Sequence, residues 1–109
     1  MENKSTSMYD DFKKVKANHV PLSPLTFLPR AASLYPENEA IVYGKRSYTW
    51  SECYERCKRL ASGITKLGAS KGDTVSVIAT NTPEMVEAHY GIAMAGAVLN
   101  SINGRLDSD

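Results

Sequence analysis

Residues 74–100 constrain the fold more than any other part of the sequence, because two apolar runs flank a helical pattern there. Thr74 to Ala79 is rich in β-branched residues and predicts a strand. Thr82-Pro83-Glu84 is typical of a helix start, and the helix is expected to continue to about Met94. Ala97 to Asn100 then predicts a second strand. Two strands joined by a helix of this length form a βαβ unit with parallel strands, so the sequence predicts an α/β fold.

The clearest helix of the sequence is expected after Thr49. Thr49-Trp50-Ser51-Glu52 has the spacing of a capping box, in which the Thr hydroxyl and the Glu carboxylate each accept a hydrogen bond from a backbone N–H. Apolar side chains then recur every three or four residues, at Cys53, Cys57, Leu60, Ala61, Ile64 and Leu67. The pattern predicts an amphipathic helix that ends at Gly68, where glycine can adopt the left-handed conformation.

A shorter helix is predicted near the start of the ordered chain. Ser23-Pro24 is typical of a helix start, and apolar residues follow at roughly helical spacing. Pro29 complicates the prediction, because it has no N–H to donate to the carbonyl of Leu25 and crowds that carbonyl. The helix is therefore expected to begin after Thr26 or to kink at Pro29.

A β-hairpin is predicted between these two helices. Ala40 to Tyr43 and Ser47 to Tyr48 have the alternation of short strands, and Gly44-Lys45-Arg46 would join them. Residues 1–18 are polar and lack an apolar period, so we expect a polar N-terminal tail before a single domain over residues 19–109.

Length and charge exclude several classes of protein. The 109 residues provide room for one domain with a modest core. Thirteen Lys and Arg residues oppose twelve Asp and Glu residues, so the net charge of +1 favours neither a nucleic-acid partner nor an anionic membrane surface. The N-terminus is too polar for a signal peptide, and Tyr90 to Leu99 is too short to span a bilayer. The chain is expected to be intracellular, with Cys53 and Cys57 as reduced thiols.

The turn between the predicted strand and Thr82 raises the question of a phosphate site, because many nucleotide-binding domains present a phosphate to a helix N-terminus there. Phosphate loops use glycines so that backbone N–H groups can approach the oxygens, and none stands between Gly72 and Gly91. Glu84 in the first helical turn would also repel an anion. The turn is therefore interpreted as a helix cap formed by Thr82.

Cysteine and histidine residues are the next candidates for chemistry. Cys53 and Cys57 share a helix face, but zinc requires four ligands and the two histidines, His19 and His89, stand far away in sequence. Core packing is the favoured interpretation of both thiols. No basic residue is placed to activate a cysteine, and His89 in mid-helix is typical of a structural residue.

Two other groups of residues are candidate sites. Tyr35, Tyr43, Tyr48 and Trp50 stand around the predicted hairpin and are interpreted as half-buried strand residues. Asn100, Asn103 and Arg105 are the best polar candidates, because they follow a predicted parallel strand, where ligands collect in open α/β sheets. A loop rich in Asn and Gly also forms without a ligand, so this interpretation stays open.

Three segments in order carry a family resemblance: PLTFLPRAASLYPENEAIVYGKRSYTWSECYERCKRLASGI, KGDTVSVIATNTPEMVEAHYGIAMAGAVLNSIN and GRLD. Together they resemble the N-terminal region of the adenylate-forming (ANL, AMP-binding) superfamily. The resemblance is greatest to acyl-activating enzymes, the short- and medium-chain fatty acyl-CoA synthetases of plants and bacteria. It covers about Val20 to Asp107 and implies a partial Rossmann-like βαβ layer of the family's large N-terminal domain, preceded by a helix and a hairpin.

The resemblance also implies a parent reaction. In this family a carboxylate and ATP-Mg form an acyl-adenylate and pyrophosphate, and the thiol of CoA then displaces AMP to give acyl-CoA. The phosphate loop ending in Lys, the adenine-stacking segment, the ribose-binding Asp and the C-terminal Lys lie downstream in such enzymes. Since none has a counterpart here, we expect no catalytic, cofactor-binding or metal-binding residue, and an inactive fragment whose partner is the remainder of the parent domain.

The residues leave two further classes of function open. One is a small non-enzymatic module that docks on a synthetase or self-associates through exposed sheet edges. The other is a small nucleotide-binding protein, which the missing glycines disfavour. Both a cytoplasmic and a peroxisomal location agree with the sequence, and the acyl substrate is not determined by it.

Overall fold

The computed structural model describes residues 16–106 and confirms the α/β fold class. A 3₁₀ turn at Lys16–Asn18 precedes the regular elements. These are α1 (Pro24–Leu34), β1 (Glu39–Tyr43), β2 (Arg46–Thr49), α2 (Trp50–Lys66), β3 (Thr74–Ile78), α3 (Pro83–Met94) and β4 (Val98–Ile102). The N-terminal tail expected over residues 1–18 lies outside the described residues except for this turn. No described helix is long and apolar enough to cross a membrane.

Helix α1 starts at Pro24, which is earlier than the start after Thr26 that was one of the two predictions. The Ser23 hydroxyl accepts a hydrogen bond from the N–H of Leu25 (3.2 Å), so Ser23 caps the helix and Pro24 occupies its first turn. The expectation that α1 begins after Thr26 is therefore wrong. The helix continues through Pro29, whose missing N–H removes one hydrogen bond but does not end the helix.

Two small sheets form, each from two strands. β1 and β2 pair antiparallel as the predicted hairpin, with a bulge between Glu39 and Ile41. β3 and β4 pair in parallel from Thr74 opposite Val98 to Ile78 opposite Ile102, and α3 connects them. The βαβ unit is confirmed. Its second strand is longer than predicted, because pairing with β3 continues to Ile102.

The helices α2 and α3 pack closely and hold the core. One cluster of buried side chains joins α1 to α2 through Leu28, Cys53 and Cys57. A second cluster contains Ala88, Ile92 and Ala97, against which the inner face of the β3–β4 sheet packs. A Cβ atom built on Gly91 would lie 2.8 Å from Leu60 Cδ2, so the two helices can approach this closely only because residue 91 has no side chain.

Candidate functional site

A cleft of about 710 Å³ opens at the carboxyl ends of β3 and β4, and we call it the strand-end cleft. Its walls come from the turn after β3, from α3, and from the end of β4 with the loop that follows. The lining residues are Ala79, Thr80, Asn81, Met85, His89, Ser101, Ile102, Asn103, Gly104 and Arg105. Parallel α/β sheets bind ligands at this edge, so the cleft is the candidate site that the topology favours.

The polar residues predicted at this edge are only partly brought together. Asn103 and Arg105 line the cleft, where the Asn103 side-chain oxygen accepts a hydrogen bond from the Arg105 N–H at 3.0 Å. Asn100 does not follow the strand as expected; it lies within β4, and its amide donates to the Ser76 hydroxyl at 3.2 Å. The Asn100 side chain is therefore held on the sheet surface by its hydrogen bond to Ser76. Of the three candidates, Asn103 and Arg105 line the cleft.

His89 lies on the wall of the strand-end cleft. Its Nδ1 is 2.7 Å from the Met85 carbonyl oxygen, and because a carbonyl only accepts, Nδ1 carries the proton. The ring is thus held against the helix backbone, which is the structural use that the sequence favoured. Nε2 is the nitrogen left for another partner.

A second, smaller opening of about 310 Å³ lies between the hairpin and the first turns of α3, and we call it the apolar groove. Most of its lining is apolar, from Ile41, Val42 and Tyr43 on β1 and Pro83, Met85 and Val86 on α3. Asn81, Thr82 and His89 complete it. Because Asn81, Met85 and His89 line both openings, the groove and the strand-end cleft are neighbours on the same side of α3.

An arginine–glutamate network holds the hairpin and α2 against α3. Arg46 of β2 pairs with Glu84, and Arg56 of α2 pairs with Glu87 through two nitrogens, the second at 3.2 Å. The Tyr48 ring lies between the arginines, with its centre 4.4 Å from the Arg56 guanidinium carbon and 5.5 Å from that of Arg46. The network therefore fixes the helix whose residues form a wall of both openings.

The two pairs of this network differ in burial. Glu87 is only 6% exposed, so its charge depends on Arg56 for compensation. Hydrogen bonding to Glu87 raises the pKa of Arg56. Glu84 is half exposed, and the hydrogen bond from Arg46 lowers the pKa of its carboxyl to about 2. Glu84 is in the first turn of α3, as predicted, but its partner lies 38 residues away.

The cysteines are buried, as predicted. Cys53 is 2% exposed and Cys57 is fully buried. Hydrogen bonding with Cys53 and burial raise the pKa of the Cys57 thiol, which favours its neutral form. Among residues 16–106, no three His, Cys, Asp or Glu side chains are grouped as metal ligands.

The helix start at Thr82 is confirmed, but the expected side-chain cap is wrong. Its carbonyl accepts from the Met85 N–H at 3.0 Å, whereas its hydroxyl makes no capping hydrogen bond. The prediction of half-buried strand aromatics also fails in part. Tyr35 follows α1 and is 57% exposed, and Trp50 is the first residue of α2, so neither is a strand residue. Tyr43 on β1 is 47% exposed and Tyr48 on β2 is partly buried, so both agree with the prediction.

Comparison with known proteins identifies the family. The sequence pattern of AMP-binding enzymes matches residues 28–109. The chain belongs to the AMP-binding enzyme family. Its resemblance to this superfamily, read first from the separated segments, is confirmed.

Several plant ligases are similar to this chain. It is 52% identical over 99 residues to the peroxisomal benzoate–CoA ligase of Arabidopsis thaliana, and this match covers 91% of the chain and 17% of the ligase. It is 50% identical over 98 residues to the peroxisomal trans-cinnamate:CoA ligase of Petunia hybrida, covering 90% of this chain and 17% of the relative. The chain thus spans about a sixth of the length of these relatives.

Solved structures show the same fold. The fatty acyl CoA synthetase of Mycobacterium tuberculosis superposes with a TM-score of 0.72 and 32% identity, over 75% of this chain and 17% of the synthetase. The O-succinylbenzoate coenzyme A synthetase of Bacillus subtilis, in complex with ATP and magnesium, superposes with a TM-score of 0.69 and 29% identity. This match covers 74% of this chain and 22% of the synthetase. The chain therefore has the fold of a segment of these synthetases.

Proposed function

We propose that this chain is the N-terminal portion of an acyl-CoA synthetase and is inactive by itself. The parent would convert a carboxylic acid, ATP and CoA into acyl-CoA, AMP and pyrophosphate through an acyl-adenylate. The observation that carries the proposal is the identity of about half the residues to several plant CoA ligases over 99 residues. Agreement of the fold with a fatty acyl CoA synthetase supports it.

The parent reaction requires ATP, Mg²⁺ and CoA, and the described residues do not fit a triphosphate. No glycine between Gly72 and Gly91 lets backbone N–H groups approach phosphate oxygens, and the hydroxyl of Thr82 adds no capping bond to organise the turn. Glu84 also brings a carboxylate into the first turn of α3. We therefore assign no step of the reaction to a residue of this chain.

A chimeric enzyme tests the proposal. The 99 matched residues of this chain would replace the corresponding segment of the Arabidopsis benzoate–CoA ligase, whose own segment differs at about half the positions. We expect kcat/KM for benzoate to stay within about tenfold of the unmodified ligase, a change of roughly 1.4 kcal/mol. A folded chimera without ligase activity would contradict the proposed function.

The isolated chain provides the complementary assay. We expect no acyl-CoA formation from acetate, benzoate or a medium-chain fatty acid above the enzyme-free rate. Turnover by the isolated 109 residues would overturn the assignment of an inactive portion.

The second candidate function is a small interaction module. The open edges of the two-stranded sheets favour it, because unpaired strand edges can accept another chain. A monodisperse monomer that unfolds cooperatively and co-purifies with an intact synthetase would favour this module over a portion of a larger domain. The nucleotide sequence that follows the codon of Asp109 would separate the two directly.

For the location of the parent we propose the cytoplasm or the peroxisome. Five of the similar plant enzymes are described as peroxisomal, which supports the peroxisome. Fluorescence of a tagged full-length product in plant cells would discriminate between the two compartments.

A further inference from the structure

Sulfur-containing side chains from two helices lie in or against the buried cluster that joins α1 to α2. Cys53 and Cys57 stand four residues apart on one face of α2, and each is at most 2% exposed. Their thiols hydrogen-bond to each other. Met94, the last residue of α3, packs against the same cluster. The cluster therefore brings together two thiols and one thioether, to which the proposed function assigns no role.

We propose that Cys53, Cys57 and Met94 form a binding site for one soft monovalent metal ion, of which Cu⁺ is the biological example. Thiolate and thioether sulfur select such an ion, whereas Mg²⁺ and Ca²⁺ prefer oxygen ligands. Structural Zn²⁺ takes four ligands, and the cluster supplies only these three sulfurs. The inference does not rest on the proposed function.

Close packing of α2 and α3 positions the thioether. At Gly91 the two helices approach until an added Cβ would lie 3.0 Å from the Cys57 carbonyl oxygen. Met94 follows Gly91 by less than one helical turn, so it leaves α3 close to this contact with α2. The three sulfurs are thus held by packed helices and not by a loop.

The surroundings of the sulfurs favour a soft ion over a hydrated one. The side chains packed around them are aliphatic or aromatic: Leu28, Ala40, Ile41, Trp50, Tyr54 and Tyr90. The charges of Arg56 and Glu87 act on both thiols, but both Glu87 oxygens accept hydrogen bonds from Arg56. The carboxylate is already satisfied, so sulfur is the donor left for a metal ion.

Charge balance also favours a monovalent ion. A thiol that binds a metal ion gives up its proton to water, so one thiolate and one Cu⁺ form a neutral pair. The second thiol and the thioether then bind as neutral donors through sulfur lone pairs. A neutral complex avoids the free-energy cost of placing a net charge in an apolar cluster.

Titration of the reduced full chain with Cu⁺ tests the site. The ion would be supplied without oxygen as its complex with a chromophoric chelator, and we expect each chain to withdraw one Cu⁺. X-ray absorption at the copper K edge should show sulfur alone around the metal. Because an ion that binds the folded chain stabilises it, the thermal midpoint should rise.

Substitutions separate the metal site from simple packing. Cys57→Ala removes one thiol and should abolish retention of Cu⁺ against the chelator. Met94→Leu keeps an apolar side chain of similar volume but removes the thioether. Its affinity for Cu⁺ should fall at least about tenfold, since even the loss of a group that orients a ligand costs that much. Met85→Leu is the matched control, because Met85 is a buried methionine of α3 outside the cluster, and its affinity should not change.

The outcomes that contradict the inference are specific. Retention of Cu⁺ by Cys57→Ala would place the ion elsewhere, and nitrogen or oxygen in the X-ray spectrum would do the same. Equal affinities of Met94→Leu and Met85→Leu would remove the thioether from the site and overturn it. A thermal midpoint that falls as Cu⁺ is added would mean that the thiols capture the ion only in the unfolded chain. Should Cys57→Ala not fold, the comparison of the two methionine variants still decides.

Discussion

The helices and the sheets of this molecule differ in how completely they are covered. In the helical layer, Leu28, Cys57 and Ile92 are at most 1% exposed and pack against residues of the same chain. In the parallel sheet, Val75 and Val77 face α3, whereas Ile78 and Val98 are 69% and 55% exposed. Among the described residues, the sheet therefore packs against a core on one side only. Parallel sheets are normally covered on both faces, so the helical layer and the outer face of the sheet differ in how far this chain buries them.

The largest expected effect is the loss of a core side chain from the helical layer. Leu28→Ala removes a 1% exposed side chain at the α1–α2 contact and should lower the free energy of unfolding by about 2 to 5 kcal/mol. Urea denaturation of the isolated chain measures it. Leu67→Ala is the control, because a 90% exposed leucine should change stability by less than about 0.5 kcal/mol. Equal losses for both variants would mean that the helical layer is not packed in the isolated chain.

The next largest effect is expected for the buried ion pair between Arg56 of α2 and Glu87 of α3. Arg56→Ala leaves the carboxylate of Glu87, which is 6% exposed, without its partner. Removing one partner of a buried pair costs roughly 3 to 5 kcal/mol of stability. Because Arg56 is partly exposed, we expect the free energy of unfolding to fall by about 3 kcal/mol. Arg46→Ala breaks the exposed pair with Glu84 and should cost clearly less than Arg56→Ala, because solvent screens an exposed ion pair. A larger loss for Arg46 than for Arg56 would contradict the assigned burial.

Local patterns were predictable from sequence because neighbouring residues determine them. The capping box at Thr49 and Glu52 forms as predicted, with both hydrogen bonds present, since its partners are three residues apart. The left-handed stop at Gly68, where φ is 104°, is confirmed for the same reason. The βαβ order follows from alternation of apolar runs with a helical period, which also needs no tertiary information.

Features that depend on the folded arrangement were missed. Arg46 and Glu84 are 38 residues apart and Arg56 and Glu87 are 31 apart, so only packing of the hairpin and α2 on α3 brings them together. The full length of β4 is fixed by its pairing with β3, which is why Asn100 lies inside the strand. Charged residues at the helix start were a signal for the network, but sequence alone did not reveal their partners.

Substitution of the glycine at the contact of α2 and α3 should have a smaller effect on the free energy of unfolding. Its control, a glycine of α2 outside this contact, should change that free energy in the opposite direction. A Cβ at residue 91 would lie 3.0 Å from the Cys57 carbonyl oxygen and 2.8 Å from Leu60 Cδ2. Overpacking costs about 1 to 3 kcal/mol and the gain in helix propensity is about 1, so Gly91→Ala should lose roughly 1 kcal/mol. Gly63→Ala, with no atom within 4 Å of the added Cβ, should gain up to about 1 kcal/mol. A gain in stability for both variants would show that α2 and α3 are not in close contact.

The smallest effect is the pH dependence contributed by the exposed end of the network. Hydrogen bonding from Arg46 lowers the pKa of the Glu84 carboxyl from its ordinary 4.5 to about 2 in the folded chain. Because the folded pKa lies below the unfolded one, the stabilisation is present above pH 4.5 and is lost as the pH falls toward 2. Arg46→Ala should raise the pKa of Glu84 toward 4.5 and weaken the pH dependence of stability in that window.

Carbon-13 NMR titration of the Glu84 side chain measures this pKa directly. Lys45→Ala is the control, because it removes the adjacent positive charge of the hairpin turn and leaves the hydrogen bond from Arg46 in place. A Glu84 pKa near 4.5 in the unmodified chain would show that the hairpin is not fastened to α3 in solution. The apolar groove would then lack a fixed wall, because β1 of the hairpin supplies one side of it.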